Sequence, residues 1–193
     1  PADLFDGAAV LTLSLEVPLD AVTAAARAGH AAGAQVLLNL SPYREVPAEL
    51  LALTDVLLLN THEAALVTGL TDPAADWEAV IAALGQLGVR RTIITLGGDG
   101  AVVLDGTAQG ADRIIAVAPT RVTAVDTTGC GDSFTGGVLC TFLEYGCSLE
   151  ELTQQQLAAM VQTGCNIGAY VATKYGGVLS MPTPEQLKEF LAN

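Results

Sequence analysis

A glycine-rich stretch at residues 125–137, with the sequence VDTTGCGDSFTGG, constrains the fold of this chain more than any other segment. It is typical of a strand end, a tight turn and a helix start. Gly129 and Gly131 allow a positive φ and let a ligand approach the backbone without a Cβ in the way. Apolar residues then recur at helical spacing, at Phe134, Val138, Leu139, Phe142 and Leu143. The turn is therefore predicted to lie at a helix N-terminus.

A helix N-terminus of this kind favours anions. Its unpaired N–H groups and roughly half a unit of positive charge suit a phosphate. Two carboxylates flank the turn, at Asp126 and Asp132. Asp132 alone could be a helix cap, worth about 1 kcal/mol. Two acids beside an anion site are costly unless one takes up a proton and the other holds a cation, and this favours a role in chemistry for the pair.

The full pattern from residue 126 to residue 134, D-T-T-G-x-G-D-S-F, resembles the C-terminal signature of the ribokinase family of carbohydrate kinases, the PfkB type. The resemblance implies that Asp132 is the catalytic base and that Asp126 helps to bind a monovalent cation. It also implies an anion hole formed by the backbone of Gly129, Cys130 and Gly131. Cys130 stands where the family usually has Ala or another small residue, which a backbone role should tolerate.

Composition restricts the class of protein. The 193 residues suit one well-buried α/β domain. Eight basic against 21 acidic residues give a net charge of −13, which disfavours nucleic acid or an anionic membrane as a partner. No apolar run reaches the length of a membrane span. The four cysteines lack metal-binding spacing, which favours reduced thiols in a cytoplasmic protein.

The order of elements predicts a doubly wound, Rossmann-like parallel sheet flanked by helices. Strands are expected at 8–15, 35–40, 55–59, 91–96, 101–104 and 114–117. Helices are expected at 18–32, 48–53, 61–68, 73–87, 130–145, 149–173 and 184–191.

Polar residues follow two of these strands, at the end where ligands of such sheets bind. Glu16 lies in Leu-Glu-Val-Pro, which resembles a family segment whose Glu contacts sugar hydroxyls, although a solvated loop Glu fits the spacing equally well. Asn60 and Glu63 are spaced as in a capping box. Their segment also resembles the family's N-x-x-E element, which implies that they position Mg²⁺ and phosphates, usually through water.

Two further segments resemble nucleotide contacts of the family. Residues 95–100, TLGGDG, could form only a hairpin turn. They also resemble the T-x-G-x-x-G element, which implies that Thr95, Gly97 and Gly100, together with Gly131, contact the nucleotide. Asn166, or its neighbour Cys165, lies near the position that faces adenine.

Residues 171–182, VATKYGGVLSMP, resemble the family's V-T-R-x-G-A…S-x-P segment, whose carbonyls complete the monovalent-cation site. The resemblance implies a K⁺ site whose contacts come from Asp126, Thr128, Val171, Lys174, Gly176 and Ser180. Lys174 and Gly177 replace the usual Arg and Ala.

The resemblance runs from about Val10 to Pro182. Family members also carry an N-terminal portion with an early Gly-Gly motif, most sugar contacts and a small β-sheet lid, and this sequence has no match to it. We therefore expect residues 1–193 to be one α/β domain, the C-terminal nucleotide-binding portion of an ATP-dependent sugar kinase that is homodimeric when complete. D-ribose is the favoured substrate. A kinase for fructose, a nucleoside or a sugar acid, and a catalytically silent nucleotide-binding protein, remain alternatives.

Overall fold

The computed structural model describes residues 3–192, and six strands of this part form one sheet in the order in which they occur along the chain. The strands are β1 Val10–Ser14, β2 Gln35–Asn39, β3 Val56–Asn60, β4 Arg91–Thr95, β5 Ala101–Asp105 and β6 Ile114–Val117. The first four are parallel. The links 96–100 and 106–113 are shorter than the roughly twelve residues that a parallel crossover needs. The last two strands are therefore antiparallel to their predecessors, and the sheet is mixed.

Seven α-helices of the described residues accompany the sheet. They are α1 Leu19–Ala31, α2 Ala48–Ala52, α3 Thr61–Thr68, α4 Trp77–Gln86, α5 Cys130–Tyr145, α6 Gln154–Ala172 and α7 Pro184–Leu191. This confirms the α/β class predicted from the sequence, a sheet flanked by helices. Within residues 3–192, no helix combines the length and apolar character that crossing a membrane requires.

The described part of the chain divides into two compact units. The first unit is residues 3–96 with Val102–Ile115, and its core is built on aliphatic side chains of β1 to β5 and their helices. The most deeply buried of these include Leu15, Leu38, Leu40, Leu57, Leu59 and Ile94. The second unit is Gly97–Ala101 with residues 116–192 and contains α5, α6 and α7. The single domain expected from the sequence stays a prediction.

A buried ion pair supports the hairpin of β4 and β5 in the first unit. Arg91 Nε lies 3.0 Å from Asp105 Oδ2, and Asp105 is only 1% exposed. Thr107 donates two hydrogen bonds to the other carboxylate oxygen, through its N–H and its hydroxyl. Burial alone would raise the pKa of Asp105, but the bonds from Thr107 and Arg91 together hold the pKa below its usual range.

In the second unit, α5 and α6 approach closely at glycines. A Cβ built on Gly137 would lie 3.0 Å from the Cα of Gly164, and a Cβ on Gly164 would lie 2.9 Å from the carbonyl oxygen of Phe134. A Cβ on Gly168 would lie 3.4 Å from the carbonyl oxygen of Cys130. The glycines of α6 therefore let it pack directly under the N-terminal turns of α5.

Two predicted helices begin later than expected because a side chain caps the backbone inside the apolar run. Asp76 is extended and accepts a hydrogen bond from the N–H of Ala79 at 3.0 Å, so α4 begins at Trp77 and Pro73–Ala75 forms a separate 3₁₀ turn. Thr153 caps α6 in the same way, and Leu149–Glu151 forms another 3₁₀ turn.

The strand end expected before the glycine turn is wrong. Residues 122–125 are irregular, and Val122 and Val125 are exposed. The N–H groups of Val125 and Asp126 both donate to the carbonyl oxygen of Ala172, at 2.7 and 3.3 Å. Because the end of α6 takes these donors, the segment is held by a helix terminus and joins no strand of the described residues.

Candidate active site

The glycine turn lies at the N-terminus of α5, as the sequence predicts. Gly129 precedes the helix with φ 78° and ψ 0°, and no side chain of the described residues caps the helix. The N–H of Cys130 donates to the carbonyl of Thr127 at 3.2 Å. Among the described residues, the N–H groups of Gly129, Gly131 and Asp132 have no acceptor, as expected at the start of a helix. The donors without an acceptor therefore include the N–H of Asp132, which the sequence analysis did not name, whereas the N–H of Cys130 is used within the turn.

The carboxylate of Asp132 is exposed in this first turn. The helix has no side-chain cap, and within residues 3–192 the Asp132 side chain makes no hydrogen bond. A cap would place the carboxylate on a backbone N–H, so the simple capping interpretation does not describe this residue. A free carboxylate beside free N–H groups is an arrangement that can accept a proton next to a bound anion.

Asp126 joins the glycine turn to the loop that follows α6. Its Oδ2 accepts the N–H of Gly176 at 3.0 Å, and its Oδ1 accepts the N–H of Thr128 at 2.9 Å. These two hydrogen bonds, the one from Gly176 first, lower the pKa of Asp126 below its usual value. The carboxylate is thus held ionised near neutral pH. Burial, and then the charge of Asp126, raises the pKa of the Cys130 thiol.

The other expected cation contacts lie in the loop after α6. Ser180 is 1% exposed, and its hydroxyl hydrogen is directed at the carbonyl oxygens of Gly176 and Gly177, at 2.7 and 2.5 Å. The carbonyl of Val171 accepts the N–H of Lys174 at 3.1 Å. The structure thus brings Asp126, Thr128, Gly176 and Ser180 into one hydrogen-bonded cluster.

The side chain of Lys174 contacts Tyr170 and is not placed as an ion ligand. Its Nζ lies 4.0 Å from the ring centroid of Tyr170 and bonds the hydroxyl of the same residue. The expected cation contact of this residue therefore falls to its backbone carbonyl, the group that the family segment implies.

Asn166, the residue expected to face adenine, is half-buried on α6. Its Oδ1 accepts hydrogen bonds from Thr120 Oγ1 at 2.5 Å and from Gln162 Nε2 at 3.1 Å. Gln162 Nε2 also donates to the carbonyl of Ala118 at 3.2 Å. Cys165 is the alternative residue, and burial raises the pKa of its thiol to about 11. The two candidates therefore differ in chemistry, since Asn166 offers an amide and Cys165 a neutral thiol.

The glycines of the TLGGDG segment form a 3₁₀ turn, Gly97–Asp99, in place of a simple hairpin turn. Gly97 and Gly100 have φ of 60° and 93°. A Cβ on Gly100 would lie 2.2 Å from the carbonyl oxygen of Val117, which no side chain permits. Local packing therefore requires Gly100 whether or not a nucleotide binds.

Asn60 and Glu63, in the first unit, form the capping box that their spacing predicts. Each donates its N–H to the other's side chain at 2.9 Å. Glu63 is 5% exposed, and its Oε2 accepts the N–H of Asn60. Asn60 pairs in register with Thr95 at the carboxyl ends of β3 and β4, and the Thr95 hydroxyl donates to the carbonyl of Leu59 at 3.4 Å.

Glu16 follows β1 and is exposed, and its Oε2 accepts a hydrogen bond from Ser14 Oγ at 3.4 Å. Ser14 pairs in register with Asn39 at the carboxyl end of β2. Sequence reasoning missed Asn39 as a candidate. The available signal was a polar residue that closes the buried run of β2 at the edge where ligands bind.

Oxygen atoms dominate these candidate ion sites, which suits Mg²⁺ and K⁺ by type of ligand. Within residues 3–192, no group of three or more His, Cys, Asp or Glu could hold a metal ion. An ion at these residues would need water, phosphate or backbone carbonyls among its ligands, as the family resemblance implies.

The family model of the pfkB carbohydrate kinases matches residues 2–184. The chain belongs to the pfkB family of carbohydrate kinases. A curated ribokinase of Haemophilus influenzae is 35% identical over 183 residues, which are 94% of this chain and 55% of that protein. An aminoimidazole riboside kinase of Salmonella typhimurium is 34% identical over 155 residues, which are 80% of this chain and 44% of that protein. Other curated relatives are a deoxyribokinase of Salmonella typhi and a probable fructokinase of Arabidopsis thaliana.

Among solved structures, the aminoimidazole riboside kinase from Salmonella enterica in complex with aminoimidazole riboside and an ATP analogue has a TM-score of 0.77 and 28% identity. The match covers 94% of this chain and 62% of that one. The chain thus spans about half the length of the curated relatives it matches.

Proposed function

We propose that this chain is the nucleotide-binding part of an ATP-dependent sugar kinase that converts D-ribose to D-ribose 5-phosphate. The observation that carries the proposal is the free Asp132 carboxylate beside the free N–H groups of Gly131 and Asp132 in the described chain. Its position in the D-T-T-G-x-G-D-S-F pattern of the pfkB family supports the assignment.

In the proposed reaction, Asp132 accepts the proton of the sugar's 5-hydroxyl as that oxygen bonds to the γ-phosphorus of ATP. The bond from the γ-phosphorus to the β,γ-bridging oxygen breaks, and ADP leaves. The N–H groups of Gly131 and Asp132 would hold the oxygens of the transferring phosphoryl group. Such preorganised donors act on the charge that the transition state develops.

Glu63 is proposed to hold Mg²⁺ through water, because its other oxygen is left after the capping bond. A bound Mg²⁺ would supply positive charge against the phosphate oxygens. The cluster of Asp126, Thr128, Gly176 and Ser180 is proposed to hold K⁺, whose size suits carbonyl and hydroxyl oxygens. The ionised state of Asp126 supports that role.

Glu16, a carboxylate that can accept hydrogen bonds from sugar hydroxyls, is proposed to bind the sugar. Relatives of this chain are named for ribose, deoxyribose, fructose and a riboside. These names agree on a small sugar or a riboside and differ in the exact substrate. Ribose is proposed because ribokinases recur among the relatives.

The test of this function is Asp132→Asn, which keeps the size of the side chain and removes its basicity. In the full-length enzyme we expect kcat for ribose phosphorylation to fall by about 10²-fold or more, the scale of general base catalysis, with ATP affinity nearly unchanged. Glu144→Gln, at an exposed carboxylate of the same helix, is the matched control and should leave kcat unchanged. Near-normal turnover in Asp132→Asn would remove this residue from the base role.

A further inference from the structure

The side-chain amides of Gln162 and Asn166 have an orientation that a backbone carbonyl dictates. The carbonyl oxygen of Ala118 only accepts hydrogen bonds, so the Gln162 atom that lies 3.2 Å from it must be Nε2, the donor. Nε2 carries two hydrogens, and the second is directed at Asn166 at 3.1 Å. The Asn166 atom that receives it must therefore be Oδ1. The orientation of both amides follows from donor and acceptor chemistry.

Thr120 completes the arrangement. Its hydroxyl donates to the same Oδ1 at 2.5 Å. A carboxamide oxygen has two lone pairs, so Gln162 and Thr120 together satisfy the acceptor side of Asn166. Among residues 3–192, nothing accepts from the two hydrogens of Asn166 Nδ2. The half-buried Asn166 therefore presents only donors.

We propose that Gln162 and Thr120 are positioning residues that turn the Asn166 amide so that its NH₂ group donates to a ring nitrogen of the purine base of ATP. The proposal rests on the proposed function and on the family resemblance, which implies that Asn166 or its neighbour Cys165 faces adenine. Adenine has three ring nitrogens that accept hydrogen bonds outside the glycosidic linkage, N1, N3 and N7. With the amide reversed, Asn166 would offer an oxygen to these atoms, and two acceptors would face each other.

The first experiment measures which nitrogen is recognised. ATP and its 1-deaza, 3-deaza and 7-deaza analogues, each with one ring nitrogen replaced by C–H, are titrated into the protein by calorimetry. We expect one analogue to bind roughly 3- to 10-fold more weakly than ATP, the scale of one hydrogen bond. If ATP binds and all three analogues bind equally well, this inference is wrong and the kinase assignment survives. If ATP itself does not bind, both fail.

The second experiment removes the positioning donors. In Gln162→Glu the carboxylate cannot donate to Asn166, so we expect ATP affinity to fall to that of the weak analogue and the preference for ATP over that analogue to disappear. Gln155→Glu is the matched control, since it makes the same charge change at a solvent-accessible site on α6. The Michaelis constant for the sugar should be unchanged in both variants.

Thr120 gives a test that does not depend on how well Gln162→Glu folds. Thr120→Val removes the hydroxyl at nearly constant volume and should weaken discrimination against the same analogue. Thr120→Ser keeps the hydroxyl and should therefore retain the discrimination against that analogue. A variant that weakens ATP and all analogues equally, with the preference retained, would show a merely structural role and overturn the proposal.

Discussion

The close approach of α5 and α6 predicts opposite effects of the same substitution at two adjacent glycines. In Gly137→Ala, the new Cβ would meet Gly164 Cα and Ile167 Cδ1, each at 3.0 Å. Carbon atoms pack best at about 3.5–4.0 Å, so the helices must separate by roughly half an ångström or distort. Such overpacking costs about 1–3 kcal/mol.

Gly136→Ala is the matched control, because a Cβ at Gly136 has no atom of the described chain within 4 Å. Alanine is a better helix former than glycine by about 0.5–1 kcal/mol, and both variants gain this term. It cancels in the difference between them. The free energy of unfolding should therefore be about 1–3 kcal/mol lower for Gly137→Ala than for Gly136→Ala, with the latter slightly above the unsubstituted protein.

Urea denaturation of the three proteins, followed by far-UV circular dichroism, measures this difference. ATP titration adds a second readout, because Gly168 of α6 lies under the carbonyl of Cys130 in the glycine turn. If α5 is displaced, Gly137→Ala should also bind ATP more weakly, whereas Gly136→Ala should not. Equal unfolding free energies within about 0.5 kcal/mol would refute the packing argument.

Three further predictions concern the fold, pH dependence and substrate choice. Gly100→Ala should destabilise by at least about 3 kcal/mol, since its Cβ would clash with backbone at positive φ, whereas Gly98→Ala, in open space, should change thermal stability little. Asp105→Asn should lower the free energy of unfolding by about 1–3 kcal/mol at neutral pH. Because the pKa of Asp105 is depressed, the stabilisation that its carboxylate provides is present above the ordinary pKa of 3.8 and is lost as the pH falls. The difference in unfolding free energy between Asp105→Asn and the unsubstituted protein should therefore be smaller at pH ~3. In the full-length enzyme, D-ribose should give a higher kcat/KM than D-fructose or adenosine, and Glu16→Ala should erode that preference. A higher kcat/KM with fructose or adenosine would refute the ribose assignment and leave the kinase assignment standing.

Local signals located most helices well, because caps and stops act within a few residues. Asn60 and Gly69 bound α3 as the sequence predicts, and α7 begins at Pro184 behind the Thr183 cap. The two helix starts that were wrong have the same cause. Asp76 and Thr153 are good caps that lie inside apolar periodic runs, and the periodicity continues through them while the backbone does not.

The strand predicted at residues 122–125 is wrong for a different reason. Val122 and Val125 have the β-branched character of a strand, but a strand exists only through its hydrogen-bonded neighbour. The neighbour of this segment is the C-terminus of α6, whose Ala172 carbonyl receives the N–H groups of Val125 and Asp126. Hydrogen bonds between residues so far apart in the chain leave no local trace in the sequence.

The candidate site shows the same division between residue identity and geometry. The motif located Asp126 and Asp132, but sequence letters do not show that Asp126 is held by the N–H of Gly176, or that the N–H of Cys130 is already used in the turn. Backbone donors depend on conformation, so the pattern predicts which residues form an anion site and not which of their N–H groups are free.

Two glycines of one motif show why a matching pattern does not by itself identify ligand contacts. Gly100 is required by the backbone of Val117, which a Cβ would approach to 2.2 Å. Gly97 also has a positive φ, yet a Cβ there would meet no atom of the described residues within 4 Å. Packing explains Gly100 completely, whereas the space beside Gly97 leaves room for a ligand to approach the backbone. A substitution of Gly97 would therefore test the proposed nucleotide contact, whereas a substitution of Gly100 reports on the fold.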